Sequence, residues 1–338
     1  MAGSTTTSAR RGDDNDGDPH TDSPRADYAP TGTDTKPTFG GTLKRTFTEF
    51  KEDNITDWAA ALTYYGVLAL FPALIALVSI IGLFGDPAKV TKNLTDIATQ
   101  LGPSSAGDTL KGPIAAITSN RSGAGFAFVL GLFGAVWSAS GYVGAFMRAS
   151  NIIFETPEGR PIWKLRPLQL LVTLVMVILT AIVALALVFT GPIVSAVAEP
   201  LGIGSTAVTV WNIAKWPVLI VIVLLIISLL YYSAPNVKLR GFKFVLPGAL
   251  LALGVWVVAS VLFAFYVSKF GSYNKTYGTL AGVVIFLIWF WITNIAMLLG
   301  LQFNSERERG VELSEGIPRA DREIQLEPRD EPKDKATT

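Results

Sequence analysis

Side chains that could perform catalysis are sparse in this sequence of 338 residues. It has no cysteine and one histidine, His20. Hydrolytic and nucleic-acid enzymes need a nucleophile with a base, or carboxylate and histidine ligands around a metal. No such set occurs at metal-ligand spacing, and no Gly-rich loop is followed by Lys-Ser or Lys-Thr. We therefore expect no enzymatic activity, metal or cofactor, and no nucleic-acid partner.

Transport chemistry would use a different set of residues. Ion pumps usually keep a carboxylate, His or Arg inside the bilayer, and the long apolar stretches here contain none. A site for a neutral or amphipathic solute can use hydroxyls and backbone groups freed at broken helices. Tyr64, Tyr65 and Pro72 in the first apolar stretch predict such a cavity near the bilayer midplane. A kink that serves only helix packing is the alternative.

Other polar or helix-breaking residues are also candidates for packing. Asn294 needs a hydrogen-bond partner inside the bundle, and we expect an interhelical bond. Pro247-Gly248 could line a cavity or simply kink a helix. The Gly278–Gly282 spacing favours close helix contact, within the chain or in a homo-oligomer.

The elements that must position these residues are membrane helices. The chain is 50% apolar and 16% charged, and six windows contain no Asp, Glu, Lys or Arg. Crossing a bilayer core takes about 20 residues, and a charge at its centre costs at least about 2.5 kcal/mol. The fold predicted is therefore all-α and polytopic, with the lipid bilayer as partner. The predicted spans are 59–85, 123–147, 168–190, 216–234, 244–267 and 277–303.

The flanking segments have a different composition. Residues 1–38 and 306–338 are polar and are predicted to be disordered cytoplasmic tails around a membrane domain at 39–305. Residues 40–57 carry apolar side chains at helical spacing among basic ones, which predicts an interfacial amphipathic helix. A soluble helix packed on the loops is the alternative. The connection between the first two spans is predicted to hold a further amphipathic helix.

The distribution of basic residues predicts the orientation. Twelve Lys and Arg residues occupy the tight connections on one side, against seven in looser connections on the other. Because short cytoplasmic loops carry the excess of Lys and Arg, both termini are predicted to be cytoplasmic.

Several segments resemble the YihY/virulence factor BrkB family of bacterial inner-membrane proteins, some of which were once labelled ribonuclease BN. They are AAALTYYGVLALFP at 59–72, WSAS at 137–140, the stretch from Asn151 that ends in EGRP, YYSAPNVK at 231–238, LPGALLA at 246–252 and FGSYNKTYGTLAG at 270–282. The resemblance implies six membrane helices, an inner-membrane location and cytoplasmic termini. For the activity, the resemblance implies export of a solute or resistance of the cell envelope. The ribonuclease label is not supported, because clustered His and Asp ligands are missing.

The sequence departs from the family pattern near the end of the last span. The family tends to read Gly-Ala-Glu-Leu-Asn, whereas this chain has Gln302 in place of the glutamate. Any mechanism that needs a charge at that position is in doubt here.

The signature residues in the connections are candidates for a vestibule or a lid, or for turn chemistry alone. Arg160 could pair with Glu155 or Glu158. The candidate residues are Asn151, Arg160, Pro235, Asn236, Tyr273, Asn274, Tyr277 and Gly278.

Two functions remain open from the sequence. The first is a transporter or exporter of a small solute, which the broken helices favour. The second is a non-transporting membrane scaffold, or a protein of the cell envelope that interacts with lipid or with a protein partner.

Overall fold

A computed structural model describes residues 38–84, 121–188, 205–269 and 279–332. At some helix ends only the backbone is described. In the helix Ile55–Phe84, for example, side chains are described up to residue 69. The helices in these ranges are α1 (Phe39–Glu52), α2 (Ile55–Phe84), α3 (Arg121–Ile153), α4 (Ile162–Val188), α5 (Ser205–Ser233), α6 (Phe242–Ser268) and α7 (Thr279–Glu315).

The predicted all-α, polytopic fold is confirmed. By length and composition, five helices among the described residues can cross a membrane, namely α3 to α7. The first predicted span falls in α2, which is 30 residues long. The count of six spans stays a prediction.

The helices of the bundle form a ring in chain order. Each helix from α2 to α7 packs on the next, and α7 closes the ring against α2. α7 also contacts α3 across the interior, and α1 packs on α7. Short connections at 154–161 and 234–241 make α3 and α4, and α5 and α6, antiparallel neighbours.

α1 begins and ends at recognisable capping residues. The Thr38 Oγ1 accepts a hydrogen bond from the Gly41 N–H at 3.2 Å, which caps the first turn. Asn54 has φ of 50° and turns the chain into α2. Thr42 and Thr46 are buried in α1, whereas Phe47 is exposed. Of the helix predicted for residues 40–57, the part up to Glu52 forms α1, which packs on α7, whereas residues 55–57 begin α2.

Packing differs between the two ends of the bundle. We call the polar end the end where α2, α4 and α6 begin, which includes the connections 154–161 and 234–241 and residues 306–332. The buried core lies towards this end and includes Leu62, Phe146, Tyr231 and Leu298. No side chain described in 174–186, 206–214, 253–269 or 282–293 is buried. These ranges belong to the opposite halves of α4, α5, α6 and α7, which we call the far half.

The prediction of a disordered tail at 306–338 is wrong for the residues described. α7 continues to Glu315, and residues 317–332 fold back across the polar end. Ala320 and Ile324 are buried there. Charge and proline suggested disorder, but the charged groups form tertiary ion pairs instead of staying solvated. Residues 1–37 and 333–338, also predicted to be disordered, lie outside the described residues.

Candidate functional site

The EGRP signature forms an ion pair at the polar end. Arg160 is buried and donates to both carboxylate oxygens of Glu158, from Nε at 2.7 Å and from Nη2 at 2.6 Å. Its Nη2 also donates to the Ala234 carbonyl at 2.9 Å. Burial alone would raise the pKa of Glu158, but the hydrogen bonds and charge of Arg160 outweigh it, so the pKa lies below its ordinary value. Of the two predicted partners, Arg160 uses Glu158.

Two signature asparagines join this pair to the next connection. Asn151 Nδ2 donates to Glu158 at 2.9 Å, and Asn151 Oδ1 accepts from the Asn236 backbone N–H at 2.8 Å. The Asn236 side chain donates to the carbonyls of Pro157 and Asp330, at 3.0 and 2.9 Å. Pro235 is buried beside it. The structure therefore brings four signature residues together as a brace between the two connections.

Glu155, the other candidate partner of Arg160, belongs to a second ionic network. Arg309 Nη2 donates to Glu155 at 2.9 Å, and Arg309 Nε donates to Glu306 at 3.2 Å. Arg45 of α1 completes the chain with a contact of 3.1 Å to Glu306, whose side chain is fully buried. The sequence analysis missed this network. The i,i+3 spacing of Glu306 and Arg309 was the only signal for it, and a solvated helix shows the same spacing.

A third ionic cluster ties the connection between α5 and α6 to the end of α7. Arg240 donates from Nε to the buried Glu308 at 2.6 Å and from Nη2 to Glu315 at 2.7 Å. These bonds raise the pKa of Arg240. Charge-assisted pairs of this kind fix the geometry of the elements they join.

Residues 317–332, the C-terminal segment, lie across both connections. The Ile324 N–H donates to Glu155 at 2.9 Å, and the Lys238 N–H donates to the Glu327 carbonyl at 2.8 Å. Arg329 Nε donates to the Val237 carbonyl at 2.9 Å. Most of these contacts are polar, so the segment is held chiefly by hydrogen bonds and ion pairs.

Further inside the bundle, three uncharged side chains form a hydrogen-bonded chain. The Tyr142 hydroxyl donates to Asn294 Oδ1 at 2.8 Å, and Asn294 Nδ2 donates to the Thr63 hydroxyl at 3.0 Å. The chain links α3, α7 and α2. The interhelical bond predicted for Asn294 is confirmed.

The break at Pro247-Gly248 is satisfied by α7. The Gly248 N–H donates to Asn304 Oδ1 at 2.9 Å, and Asn304 Nδ2 donates to the Val245 carbonyl at 2.9 Å. Arg307 donates to the Phe244 carbonyl at 3.1 Å. These bonds occupy backbone groups next to the proline, so this break serves packing.

An aromatic pair fills the ring interior near the polar end. Phe146 and Tyr231 stack with ring centroids 6.2 Å apart, and both are fully buried. The Tyr231 hydroxyl donates to the Met297 carbonyl, so α3, α5 and α7 meet at this pair. Gln302 lies on α7 shortly after Met297 and is buried. Its Oε1 has no hydrogen-bond partner within the described chain. An ionised side chain would be costly at this buried position, so a neutral glutamine is favoured over a glutamate.

The residues predicted to line a midplane cavity are only partly described. Tyr64 is 61% exposed and points away from the core, whereas Tyr65 packs against the core. Their rings meet edge to face with centroids 5.4 Å apart. Pro72 lies in α2, where the side chains are not described. The cavity itself stays a prediction.

The remaining signature residues lie in the connection between α6 and α7. Tyr273, Asn274, Tyr277 and Gly278 fall outside the described residues. The partner glycine, Gly282, has no atom within 4 Å of the position a Cβ would take. No other helix of the described chain therefore packs closely there.

No group of three or more His, Cys, Asp or Glu side chains in the described part of the chain could hold a metal ion. The charged clusters described above instead pair arginine with glutamate.

A ring of apolar helices with an ion-paired end defines a polytopic membrane protein. The chain belongs to the virulence factor BrkB family, whose profile matches residues 46–323. It is 31% identical over 263 residues to YfkH of Bacillus subtilis, whose name marks it only as ribonuclease-like, with 78% of this chain and 94% of that protein covered.

Proteins named as UPF0761 membrane proteins are further relatives. One from Alteromonas mediterranea is 26% identical over 78% of this chain and 85% of its own length. One from Kangiella koreensis is 24% identical over 77% of this chain, but this chain spans only 62% of that protein. Some relatives are therefore considerably longer. No solved structure matches the chain.

Proposed function

We propose that this protein carries a small solute across the bacterial inner membrane, with the polar end and both termini in the cytoplasm. The excess of Lys and Arg supports this orientation, since Arg148, Arg160, Lys164 and Arg166 all lie at the polar end. Membership of a membrane-protein family is consistent with the location but does not establish transport.

The difference in packing between the two ends carries the proposal. The polar end has a buried core, whereas no side chain described in 174–186, 206–214, 253–269 or 282–293 is buried. Nearer the middle of the bundle, Ala135 of α3 and Lys215 of α5 are buried. Helices that only needed to anchor the protein would gain dispersion energy by packing along their whole length. A ring that is closed at one end and loosely packed at the other suits a path open to the far side.

Three layers would close this path at the polar end. The stacked Phe146 and Tyr231 fill the ring interior. The ion pairs of the buried Glu306 and of the buried Arg160 lie at the helix ends, and the C-terminal segment covers the connections. Alternating access requires such a closure to open in turn, and a polar attachment can exchange its bonds with water as it opens.

The chemistry of the interior favours an uncharged or amphipathic solute. Tyr142, Asn294 and Thr63 offer hydroxyl and amide groups near the boundary between the packed and the loose halves. Each of these groups can exchange its present partner for a solute group. Tyr65 lies close in sequence to Thr63 on α2 and adds an aromatic surface.

The test is solute flux into proteoliposomes, with a mixture of isotope-labelled metabolites and the full-length protein. We compare wild type, a Tyr64→Ala, Tyr65→Ala double variant and Trp163→Ala, an exposed aromatic at the start of α4 that serves as the matched control. Flux that requires the protein, falls at least about tenfold in the double variant and persists in the control supports a path along α2. Equal flux in the double variant would remove α2 from the path.

A second candidate is a lipid-interacting protein without transport. Arg148 and Arg166, which have no carboxylate partner among the described residues, favour it. Absence of flux for every solute, from protein that still melts cooperatively, would select this candidate over transport.

A further inference from the structure

Two arginines at the polar end have no carboxylate partner among the described residues. The Arg148 guanidinium lies 5.9 Å from the centroid of the Tyr65 ring, and Arg166 Nη1 lies 3.5 Å from Gln169 Oε1. These are the polar contacts that the described chain gives them. By contrast, Arg160 and Arg309 nearby are each paired with glutamates. Unpaired guanidinium groups at a membrane edge are free to bind an anion.

The helix geometry directs both arginines to one place. Gly141, Gly144 and Arg148 are spaced by three and four residues, so they share one face of α3. A Cβ on Gly141 would lie 3.2 Å from the Tyr65 ring, and a Cβ on Gly144 would lie 2.6 Å from Gln169 Nε2 and 3.7 Å from Arg148 Nη1. The two glycines thus admit α2 and α4 beside Arg148.

A buried amide lies between the two guanidinium groups. Gln169 is only 6% exposed, and its Oε1 faces Arg166 while its Nε2 lies on the side of Arg148. Within the described chain this Nε2 donates to no acceptor. This Nε2 is therefore available as a donor, and a ligand oxygen can accept its hydrogen bond.

The donors and their surroundings define the ligand. Two guanidinium groups and an amide N–H offer several donors to a group with several anionic oxygens, which is the pattern of a phosphate site. On α4 the next two side chains, Leu170 and Leu171, are exposed and apolar, and Tyr64 is exposed on α2. A phosphate bound here would therefore have apolar surface beside it on the membrane side.

We propose that Arg148, Arg166 and Gln169 bind the phosphate of an acidic phospholipid, with its acyl chains along the exposed apolar faces of α2 and α4. Tyr64 and Tyr65 border both this site and the proposed transport path, but lipid binding is measured without flux and so is tested independently of transport. A free phosphate anion has the same head chemistry but makes no use of the apolar surface.

The test measures binding of short-chain phosphatidylglycerol, phosphatidylcholine and inorganic phosphate to the full-length protein in detergent. Wild type should prefer phosphatidylglycerol, and the Arg148→Ala, Arg166→Ala double variant should lose about tenfold or more in affinity. Gln169→Met keeps both charges and removes the amide, and should lose a few-fold by the same reasoning.

The matched control removes two other positive charges at the same end. Lys44→Ala, Lys243→Ala changes exposed lysines outside the site and should keep the affinity within about twofold. An equal loss in this control would show a general charge effect and overturn the site. Binding of inorganic phosphate as tight as that of the lipid would overturn the assignment to phospholipid. Each variant is melted in parallel, and Gln169→Met decides the matter if the double arginine variant does not fold.

Discussion

Gly159 lies directly beneath Asp330. A Cβ on Gly159 would lie 1.9 Å from the Asp330 carbonyl oxygen and 2.6 Å from the Glu331 carbonyl carbon. Both contacts are with backbone, so no side-chain rotation could relieve them. The glycine of the EGRP signature is therefore the position at which the C-terminal segment crosses the connection between α3 and α4.

The first prediction is that Gly159→Ala displaces the C-terminal segment while keeping every ionised side chain. Limited proteolysis should cut within residues 317–332 several-fold faster than in wild type, because the local opening free energy falls. Gly254→Ala is the control, since a Cβ there meets no atom within 4 Å. Unchanged cleavage of the Gly159 variant would show that the segment tolerates the side chain.

Breaking the buried ionic network should cost far more than breaking an exposed pair. Arg309→Met removes the shared partner of Glu155 and Glu306, and Glu306 keeps only Arg45, so a loss of about 3 kcal/mol is expected for partly uncompensated buried charge. Arg319→Met removes an exposed pair with Glu323 and should cost about 0.5 kcal/mol or less. Thermal melting in detergent measures both. Similar melting temperatures for the two variants would contradict the buried network.

Replacement of Asn294 tests the interior hydrogen-bonded chain. Asn294→Leu leaves the Tyr142 hydroxyl without its acceptor and Thr63 without its donor, so a loss of about 1–2 kcal/mol is expected. Ser268→Ala serves as the control, because that hydroxyl is exposed and, among the residues that the structure describes, bonds only to Phe265 of its own helix. The prediction fails if both variants unfold at the same denaturant concentration.

The lowered pKa of Glu158 predicts a dependence of stability on pH. The ionised form is favoured in the folded state, so its stabilisation is present above the ordinary value of about 4.5 and is lost as pH falls through the lower folded pKa. Glu158→Gln should lower the melting temperature at pH 7 and flatten its decline below pH 4.5. Parallel melting curves of variant and wild type across this range would argue against the prediction.

The membrane fold could be predicted because one energy dominates it. A charge inside the bilayer is so costly that charge-free windows mark helices without any alignment. The interhelical hydrogen bond of Asn294 could be predicted for a similar reason, since a buried amide in a membrane helix must find a partner. Both features can be predicted from sequence alone because they depend on the lipid environment and not on which helices are neighbours.

The fold of residues 306–332 could not be predicted because its stability depends on distant partners. Glu306 and Arg309 have the composition of a solvated helix end until Arg45 and Glu155 are brought beside them. Gln169 likewise gave no signal, since its surroundings are set by glycines on another helix. The sequence left Glu155 and Glu158 as possible ion-pair partners of Arg160. The choice of Glu158 depends on how the connection between α3 and α4 folds.

Closure of the ring has a consequence for biogenesis. Each helix from α2 to α6 can pack on its predecessor as it leaves the ribosome, but the ring closes only when α7 arrives. Until then Thr63 lacks the amide of Asn294, and Gly248 lacks Asn304. The nascent bundle is therefore open between α2 and α6, and the Gly248 N–H at its last helix still lacks its acceptor. Because α7 supplies both missing partners, its synthesis completes assembly of the membrane domain in a single late step.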